Sequence, residues 1–190
     1  MKRIAVFASG TGTNARNLIE YFEPHHNAQV TLLVCNNPQA GVISIAKEHG
    51  VEVLLTDREQ FFSEHSIVPQ LKERGIDLIV LAGFLWLIPP AVISAFPGKI
   101  VNIHPALLPK FGGKGMYGKK VHEAVLASGE KVTGVTIHFV NEKFDDGKHI
   151  AQFTCPVLPG DTPETLSARV QQLEHAHFAE TIDRNVIRLL

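Results

Sequence analysis

The sequence has few cysteines, almost no net charge and no long hydrophobic run, and each shortage excludes a class of protein. Cys35 and Cys155 are the only two cysteines, and without a Cys-x-x-Cys spacing they argue against a disulfide framework or a structural zinc site. Lys and Arg number 18 against 19 Asp and Glu, a net charge of -1, so no overall positive field would hold nucleic acid or an anionic membrane. No apolar stretch reaches the roughly 18 residues of a membrane span.

What the sequence has is the size and composition of one globular domain. Its 190 residues are 45% hydrophobic and 19% charged, which suits a chain that folds around a single core. The hydrophobic stretch at the start is too short for a signal peptide, so we expect a cytoplasmic protein. We therefore expect one domain over residues 1–190, with no nucleic-acid or membrane partner.

Apolar runs alternate with helical spacing through the first hundred residues. The predicted strands are Arg3–Ala8, Val30–Cys35, Val51–Leu55, Leu78–Ala82 and Ile100–Ile103. The predicted helices are Asn14–Phe22, Val42–His49, Phe61–Arg74 with a break or kink at Pro69, and Ala91–Phe96. This alternation predicts an α/β fold with a doubly wound, mainly parallel central sheet and helices on both faces, as in Rossmann-like proteins.

The second half of the sequence has a different pattern. A Gly- and Lys-rich segment, Phe111–Lys120, predicts a mobile loop before a short helix at His122–Leu126. Strand-like runs at Val132–Val140 and Ile150–Val157 are close enough to pair, which adds antiparallel strands. Thr162 as N-cap and Pro163 at the first helical position then start a helix that can run to about Leu189.

A glycine loop directly follows the first predicted strand. Gly10-Thr11-Gly12-Thr13-Asn14-Ala15 fits Gly-x-Gly-x-x-Ala, whose glycines allow a tight turn and whose backbone N–H groups can hold a phosphate. A dinucleotide site would need an acidic residue near the end of the second strand, where Asn36-Asn37 stands instead. We therefore favour a single phosphate, and a turn that only connects strand to helix is the alternative.

Two polar side chains mark the end of the strand at Ile100–Ile103. Because side chains alternate along a strand, Asn102 and His104 lie on one face, and Pro105 ends the strand at the carboxyl edge of the sheet. Open α/β sheets bind their ligands at this edge. An amide donor can stabilise an oxyanion and an imidazole can carry a proton, although such a pair can also serve only to satisfy a loop.

With these motifs in order, the chain resembles a known family. Asn102-Ile103-His104 continues into Pro105-Ala106-Leu107-Leu108-Pro109, follows Leu81-Ala82-Gly83-Phe84, and precedes Gly134-Val135-Thr136-Ile137-His138-Phe139-Val140. From Lys2 to about Phe178 the sequence resembles the phosphoribosylglycinamide formyltransferases. The resemblance implies transfer of a formyl group from 10-formyltetrahydrofolate, as co-substrate, to the amine of glycinamide ribonucleotide in purine biosynthesis.

The resemblance also implies roles for particular residues. The catalytic residues would be Asn102, His104 and Asp145; Asp146 stands where many family members have Gly. The residues implied to bind the ribonucleotide are Gly10, Thr11, Gly12, Thr13, Asn14, Gln171 and Glu174. The first hundred residues would thus form a phosphate-binding half, and residues 101–190 a catalytic and folate-binding half.

The implied folate pocket contains a departure from the family pattern. Its residues would be Leu85, Trp86, Leu87, Ile88, Asn102, Asn141, Glu142, Lys143, Phe144 and Asp145. Family members commonly have an Arg in the segment that here contains Trp86, so Trp86 either reshapes the pocket or packs in the core. The Gly- and Lys-rich loop at 112–120 is a second departure, since the family often has a shorter loop containing His.

Other functions remain as alternatives. A formyltetrahydrofolate deformylase would not need the glycine loop, and a methionyl-tRNA formyltransferase would be expected to show a basic C-terminal domain. An NAD-binding oxidoreductase and a catalytically silent nucleotide-binding module rest on the glycine loop alone. No metal site is predicted, because Leu126 stands where a His-Glu-x-x-His motif starting at His122 would need its second His. We expect only small-molecule substrates, and a monomer or homodimer.

Overall fold

A central sheet organises the computed structural model, which describes residues 1–23, 27–63 and 67–190. Its strands are β1 (Lys2–Ala8), β2 (Ala28–Cys35), β3 (Glu52–Leu55), β4 (Leu78–Leu81), β5 (Ile100–His104), β6 (Val132–Phe139) and β7 (His149–Pro156). The helices are α1 (Thr13–Tyr21), α2 (Val42–Glu48), α3 (Arg58–Phe62), α4 (Val68–Glu73), α5 (Pro90–Ala95), α6 (Lys119–Ala127) and α7 (Pro163–Asn185). A 3-10 turn at Ile187–Leu189 follows α7.

The strand order within the described residues is β3-β2-β1-β4-β5-β6-β7. Strands β1 to β5 pair in parallel, while β5 with β6 and β6 with β7 pair antiparallel. The predicted fold class is therefore confirmed, including the antiparallel strands of the C-terminal half. The order reverses between β1 and β4, so the loops after these two strands diverge and leave a crevice at the carboxyl edge.

Each face of the sheet buries its own hydrophobic core. Helices α1, α2, α6 and α7 supply side chains to one core, together with alternate residues of β1 such as Ile4 and Val6. Helices α3, α4 and α5 pack on the opposite face against Ala5 and Phe7. The period-two alternation along β1 thus sends successive residues into different cores.

One predicted helix was wrong. Instead of a helix over Phe61–Arg74 with a break or kink at Pro69, the described residues form α3 and α4, with Pro69 inside α4, and residues 64–66 of that prediction lie outside the described part of the chain. The side chain of Asp57 accepts a hydrogen bond from Gln60 N–H and so starts α3 upstream of the predicted point. Pro69 lies in the first turn of α4, where its missing N–H costs nothing.

Helix α7 begins as predicted and ends earlier. Thr162 and Thr165 form a reciprocal capping box, and Pro163 is the first helical residue. The helix ends at Asn185 rather than near Leu189, because the chain tightens there into the 3-10 turn. Since α7 packs on both α1 and α6, it spans the side of the carboxyl edge that faces the glycine loop.

A buried threonine holds the segment that follows β5. The Thr136 hydroxyl on β6 donates to Ala106 O (2.7 Å) and accepts from Leu108 N–H (3.0 Å). The Gln152 side-chain amide donates to the same hydroxyl at 2.9 Å. These bonds fix the chain just beyond His104.

We expect Thr136→Val to destabilise the fold by about 1–3 kcal/mol, because Leu108 N–H and Ala106 C=O would lose a buried partner. Thr133→Val is the matched control, since Thr133 lies on the same strand and its buried hydroxyl has no hydrogen-bond partner among the described residues. Urea unfolding measures both free energies. An unchanged free energy of unfolding for Thr136→Val would contradict this account.

Candidate active site

A cleft of about 710 Å³ opens at the carboxyl edge of the sheet. Segments from both halves of the chain line it: the glycine loop, the segment after β4, the end of β5, the Gly-rich loop, the turn after β6 and one side of α7. The lining includes Gly10, Thr11, Gly12, Thr13, Asn14, Leu85, Trp86, Leu87, Ile88, Asn102, His104, His122, His138, Lys143, Phe144, Asp145, Gln171 and Glu174. The topology thus gathers at one edge residues that are far apart in the sequence.

The glycine loop presents an uncapped helix start to the cleft. Gly12, at the N-cap of α1, has φ 85°, and in the described structure no side chain caps the helix and no acidic residue lies in its first turn. A Cβ on Gly12 would lie 2.6 Å from Val42 Cβ, so the position admits only glycine. The first N–H groups of a helix lack intrahelical acceptors, and the positive end of the helix dipole favours an anion there.

Two side chains of α7 contact this helix start. Asn14 Nδ2 donates to Glu174 Oε2 at 2.7 Å, and Gln171 Nε2 donates to Thr13 Oγ1 at 2.9 Å. Residues three apart share a helix face, which is why both reach the same loop. Burial raises the pKa of the Glu174 carboxyl, and the bond from Asn14 opposes this only in part.

At the end of β5, Asn102, His104 and Asp145 form a connected group. Asp145 Oδ2 lies 3.5 Å from His104 Nδ1, and Asp145 Oδ1 lies 3.5 Å from Asn102 Nδ2. His104 Nε2–H donates to Phe111 O at 2.8 Å, which leaves Nδ1 toward the carboxylate. Gly113 N–H also donates to Asp145 Oδ2, at 2.9 Å.

The turn after β6 positions Asp145 through a close backbone approach. Gly147 lies so near Phe139 O that a Cβ would collide with it, and Asp145 itself has φ 53°, in the left-handed region. Asp146 is exposed and accepts a hydrogen bond from Asn141 Nδ2 at 3.2 Å. Of the two adjacent carboxylates, Asp145 is therefore the one that meets His104.

His138 orients the amide of Asn102. His138 Nδ1–H donates to Phe139 O at 2.8 Å, so the lone pair of Nε2 accepts from Asn102 Nδ2 at 3.1 Å. In the antiparallel register of β5 and β6 these two residues are direct cross-strand partners. One amide N–H of Asn102 is thus committed to His138, and the other has only the long contact to Asp145.

Burial and charge set the protonation states of this group. Burial lowers the pKa of His104, and the Asp145 carboxylate and the Phe111 carbonyl oppose that shift without overcoming it. Burial alone would raise the pKa of Asp145, but His138, His104 and the Gly113 N–H outweigh it and hold that pKa below its ordinary value. At neutral pH the pair is therefore an ionised carboxylate beside a neutral imidazole.

An aromatic cluster supports one wall of the cleft, which two of its members, Phe84 and Trp86, line directly. The Trp86 ring lies 5.3 Å from Phe61, 5.7 Å from Phe62 and 6.0 Å from Phe84, measured between ring centroids. Trp86 also lines the cleft, so it both packs on the core and faces the cleft. All four residues of the Leu85–Ile88 segment line the cleft.

Most residues singled out from the sequence converge here, and two do not. Asn141 and Glu142 are not part of the cleft lining; Asn141 instead accepts from Lys143 N–H at 2.9 Å and stabilises the turn. The sequence arguments missed His122 and the positioning role of His138. The signal for His138 is the strand register opposite Asn102, and for His122 the packing of α6 beside the cleft, neither of which a single sequence displays.

The described residues contain no group of three or more His, Cys, Asp or Glu side chains arranged to hold a metal ion. None of their helices is long and apolar enough to cross a membrane.

Named relatives are similar over nearly all of the chain. A phosphoribosylglycinamide formyltransferase of Bacillus subtilis (strain 168) is 37% identical over 187 residues, which cover 96% of this chain and 93% of that protein. The chloroplastic phosphoribosylglycinamide formyltransferase of Arabidopsis thaliana is 44% identical over 187 residues, 95% of this chain. The chain spans only 64% of that plant protein's length, and 60% of the Vigna unguiculata relative's.

Solved structures agree with the sequence relatives. The crystal structure of a phosphoribosylglycinamide formyltransferase from Bacillus halodurans superimposes with a TM-score of 0.90 at 38% identity, covering 100% of this chain and 97% of that one. The sequence profile of the formyl transferase family matches residues 2–182. The chain therefore belongs to the formyl transferase family.

Proposed function

We propose that this protein transfers the formyl group of 10-formyltetrahydrofolate to the amine of glycinamide ribonucleotide, a step of purine biosynthesis. The observation that carries the proposal is the joining of two features in one cleft: the group of Asn102, His104 and Asp145, and the uncapped start of α1. Several relatives are named phosphoribosylglycinamide formyltransferase, which supports the same choice.

The ribonucleotide phosphate binds at the glycine loop in this proposal. The free N–H groups at the start of α1 suit a phosphate, whose charge the helix dipole favours. Gln171 and Glu174 already contact this loop and can take hydrogen bonds from the sugar. The glycinamide then extends toward His104.

The folate binds on the other side of Asn102. Its flat rings suit the largely apolar wall formed by Trp86 and its neighbours, which borders the amide of Asn102. Phe144 and Lys143 line the same cleft from the turn after β6. Asn141 and Glu142 do not line this subsite, and they contribute to it only by forming part of the turn after β6.

Chemistry follows from the protonation states. The ribonucleotide amine attacks the formyl carbon, and neutral His104 takes the proton that the amine releases at Nδ1, the nitrogen that is not bonded to Phe111 O. The imidazolium so formed is stabilised by Asp145, 3.5 Å from Nδ1, and can return the proton to the departing folate nitrogen as its bond to the formyl carbon breaks. The less committed N–H of Asn102 stabilises the oxygen of the tetrahedral intermediate.

No covalent enzyme intermediate is required. Holding the two substrates side by side makes the reaction effectively unimolecular, which can lower the barrier by about 7–11 kcal/mol. We further propose that residues 1–190 act as one domain, with the phosphate loop in residues 1–100 and the catalytic residues in 101–190. We also propose that the protein acts in the cytoplasm, as a monomer or a homodimer.

The function itself is tested with purified protein and a 10-formyl folate, with and without glycinamide ribonucleotide. We expect loss of the formyl folate only when the ribonucleotide is present, with formylated ribonucleotide as product. Deformylation without the ribonucleotide would instead identify a hydrolase. No reaction in either mixture would favour a binding module.

In that assay His104→Ala should lower kcat by about 10²–10⁴-fold, the range for a lost general acid-base group, with a much smaller change in KM. His149→Ala is the control, because His149 is exposed on β7 and lies outside the cleft. Near-normal turnover of His104→Ala would remove His104 from the mechanism.

Replacing Asp145 tests whether its negative charge stabilises the His104 imidazolium. Asp145→Asn removes the negative charge that favours the imidazolium, so the pKa of His104 should fall further, and kcat should drop about 10²-fold. NMR titration of the His104 ring measures the pKa. Asp146→Asn should leave both values near wild type, and equal effects of the two variants would refute the assignment to Asp145.

Gly12→Ala tests the phosphate loop. The added Cβ would meet Val42 and require a strained φ, so the loop should shift and the KM for the ribonucleotide should rise by about 10-fold or more, with little change for the folate. Gly41→Ala is the control, since its Cβ would make only ordinary contacts, the nearest at 3.4 Å from Thr11 O. Equal ribonucleotide KM values for the two variants would contradict phosphate binding at the glycine loop.

A further inference from the structure

His122 is a buried polar residue of the cleft that the mechanism above does not use. It lies on α6, it is 3% exposed, and it is one of the residues that line the cleft. Its Nδ1 atom is enclosed and has no hydrogen-bond partner within the described residues.

Packing alone does not account for a histidine at this position. The same helix buries Val121 and Val125, and an apolar residue at 122 would continue that surface without enclosing an unpartnered nitrogen. When Nδ1 is buried it loses its hydrogen bond to water, and no group of the described protein replaces that bond. Because His175 also encloses an unpartnered nitrogen away from the cleft, it is the position of His122 in the cleft lining that points to a ligand.

The position of His122 assigns it to one side of the cleft. Helix α6 packs against α7, the helix that carries Gln171 and Glu174, and Val125 belongs to the core on that face of the sheet. Trp86 packs with the core on the opposite face. His122 therefore lies on the proposed ribonucleotide side.

The ring is electrically neutral at neutral pH. Burial lowers the pKa of His122, and positive charge on His104 would lower it further. Since Nδ1 is enclosed, Nε2 is the nitrogen left to serve a ligand. A neutral ring offers one N–H there without adding charge beside His104.

We infer that His122 is a substrate-contacting residue that hydrogen-bonds the ribose or glycinamide portion of the ribonucleotide between the phosphate loop and His104. The inference rests on the proposed function for the identity of this ligand. A bound ribonucleotide would lie between the glycine loop at one end and His104 at the other, and His122 lines the same cleft on that side.

The test measures binding of glycinamide ribonucleotide by isothermal titration, together with kcat and both KM values. His122→Leu should weaken ribonucleotide binding by about 3- to 10-fold, the value of one lost hydrogen bond, while the KM for the folate stays unchanged. His122→Gln restores an amide N–H and should bind the ribonucleotide more tightly than His122→Leu. The urea midpoint of His122→Leu should equal or exceed that of wild type.

His175→Leu is the matched control. His175 lies on α7, its Nε2 is also enclosed without a partner among the described residues, and it is not part of the cleft lining. Its replacement should leave ribonucleotide binding unchanged. Unchanged binding by His122→Leu, equal losses in the Leu and Gln variants at 122, or a matching rise in the folate KM would each overturn the inference.

Failure of the proposed function gives a different result. If wild type binds the ribonucleotide but forms no formylated product, the proposed reaction fails, and the binding comparison at 122 still decides the inference. If wild type does not bind the ribonucleotide, both fail. Should His122→Leu not fold, the His122 ring resonance of wild type is followed on adding ribonucleotide, and an unshifted resonance overturns the inference.

Discussion

The carboxylate of Asp145 is the point on which the rest of the site depends. It lies within 3.5 Å of both His104 Nδ1 and Asn102 Nδ2 and accepts a bond from Gly113 N–H, so it links the end of β5, the Gly-rich loop and the turn after β6. The turn holds it by a left-handed backbone at Asp145 and a close approach that only Gly147 permits. A buried charge needs partners of this kind, because isolation from water would otherwise neutralise it.

The reversal of strand order between β1 and β4 gives the cleft two unlike sides. One side is polar and ends at the uncapped start of α1; the other is an aromatic wall that extends from Trp86 into the core. Asn102 and His104 stand between them at the end of β5. This division matches the proposed pair of substrates, an anionic ribonucleotide and a flat folate, and brings their reacting atoms together at the strand end.

The cleft also holds polar atoms that stability alone would not keep. Among the described residues, Asn14 Oδ1 and His122 Nδ1 are enclosed without partners, and the Glu174 carboxyl has a raised pKa because it is buried. The buried hydroxyl of Thr136, by contrast, takes part in three hydrogen bonds. Unpaired polar groups in a cleft are the expected mark of a surface shaped for a ligand rather than for itself.

The sequence by itself determined the alternation of strands and helices, the start of α7 at Thr162, the glycine loop, and the pairing of Asn102 with His104 on one strand face, because these depend on local periodicity and backbone preference. It placed the break within Phe61–Arg74 wrongly at Pro69, since Asp57 supplies an earlier helix start and Pro69 lies in the first turn of α4. The family resemblance had already named Asp145, but only the tertiary structure decided how its carboxylate meets His104, that His138 orients Asn102, and that His122 lines the cleft. Those contacts join residues remote in the chain, and strand register, close backbone approach and helix packing set them.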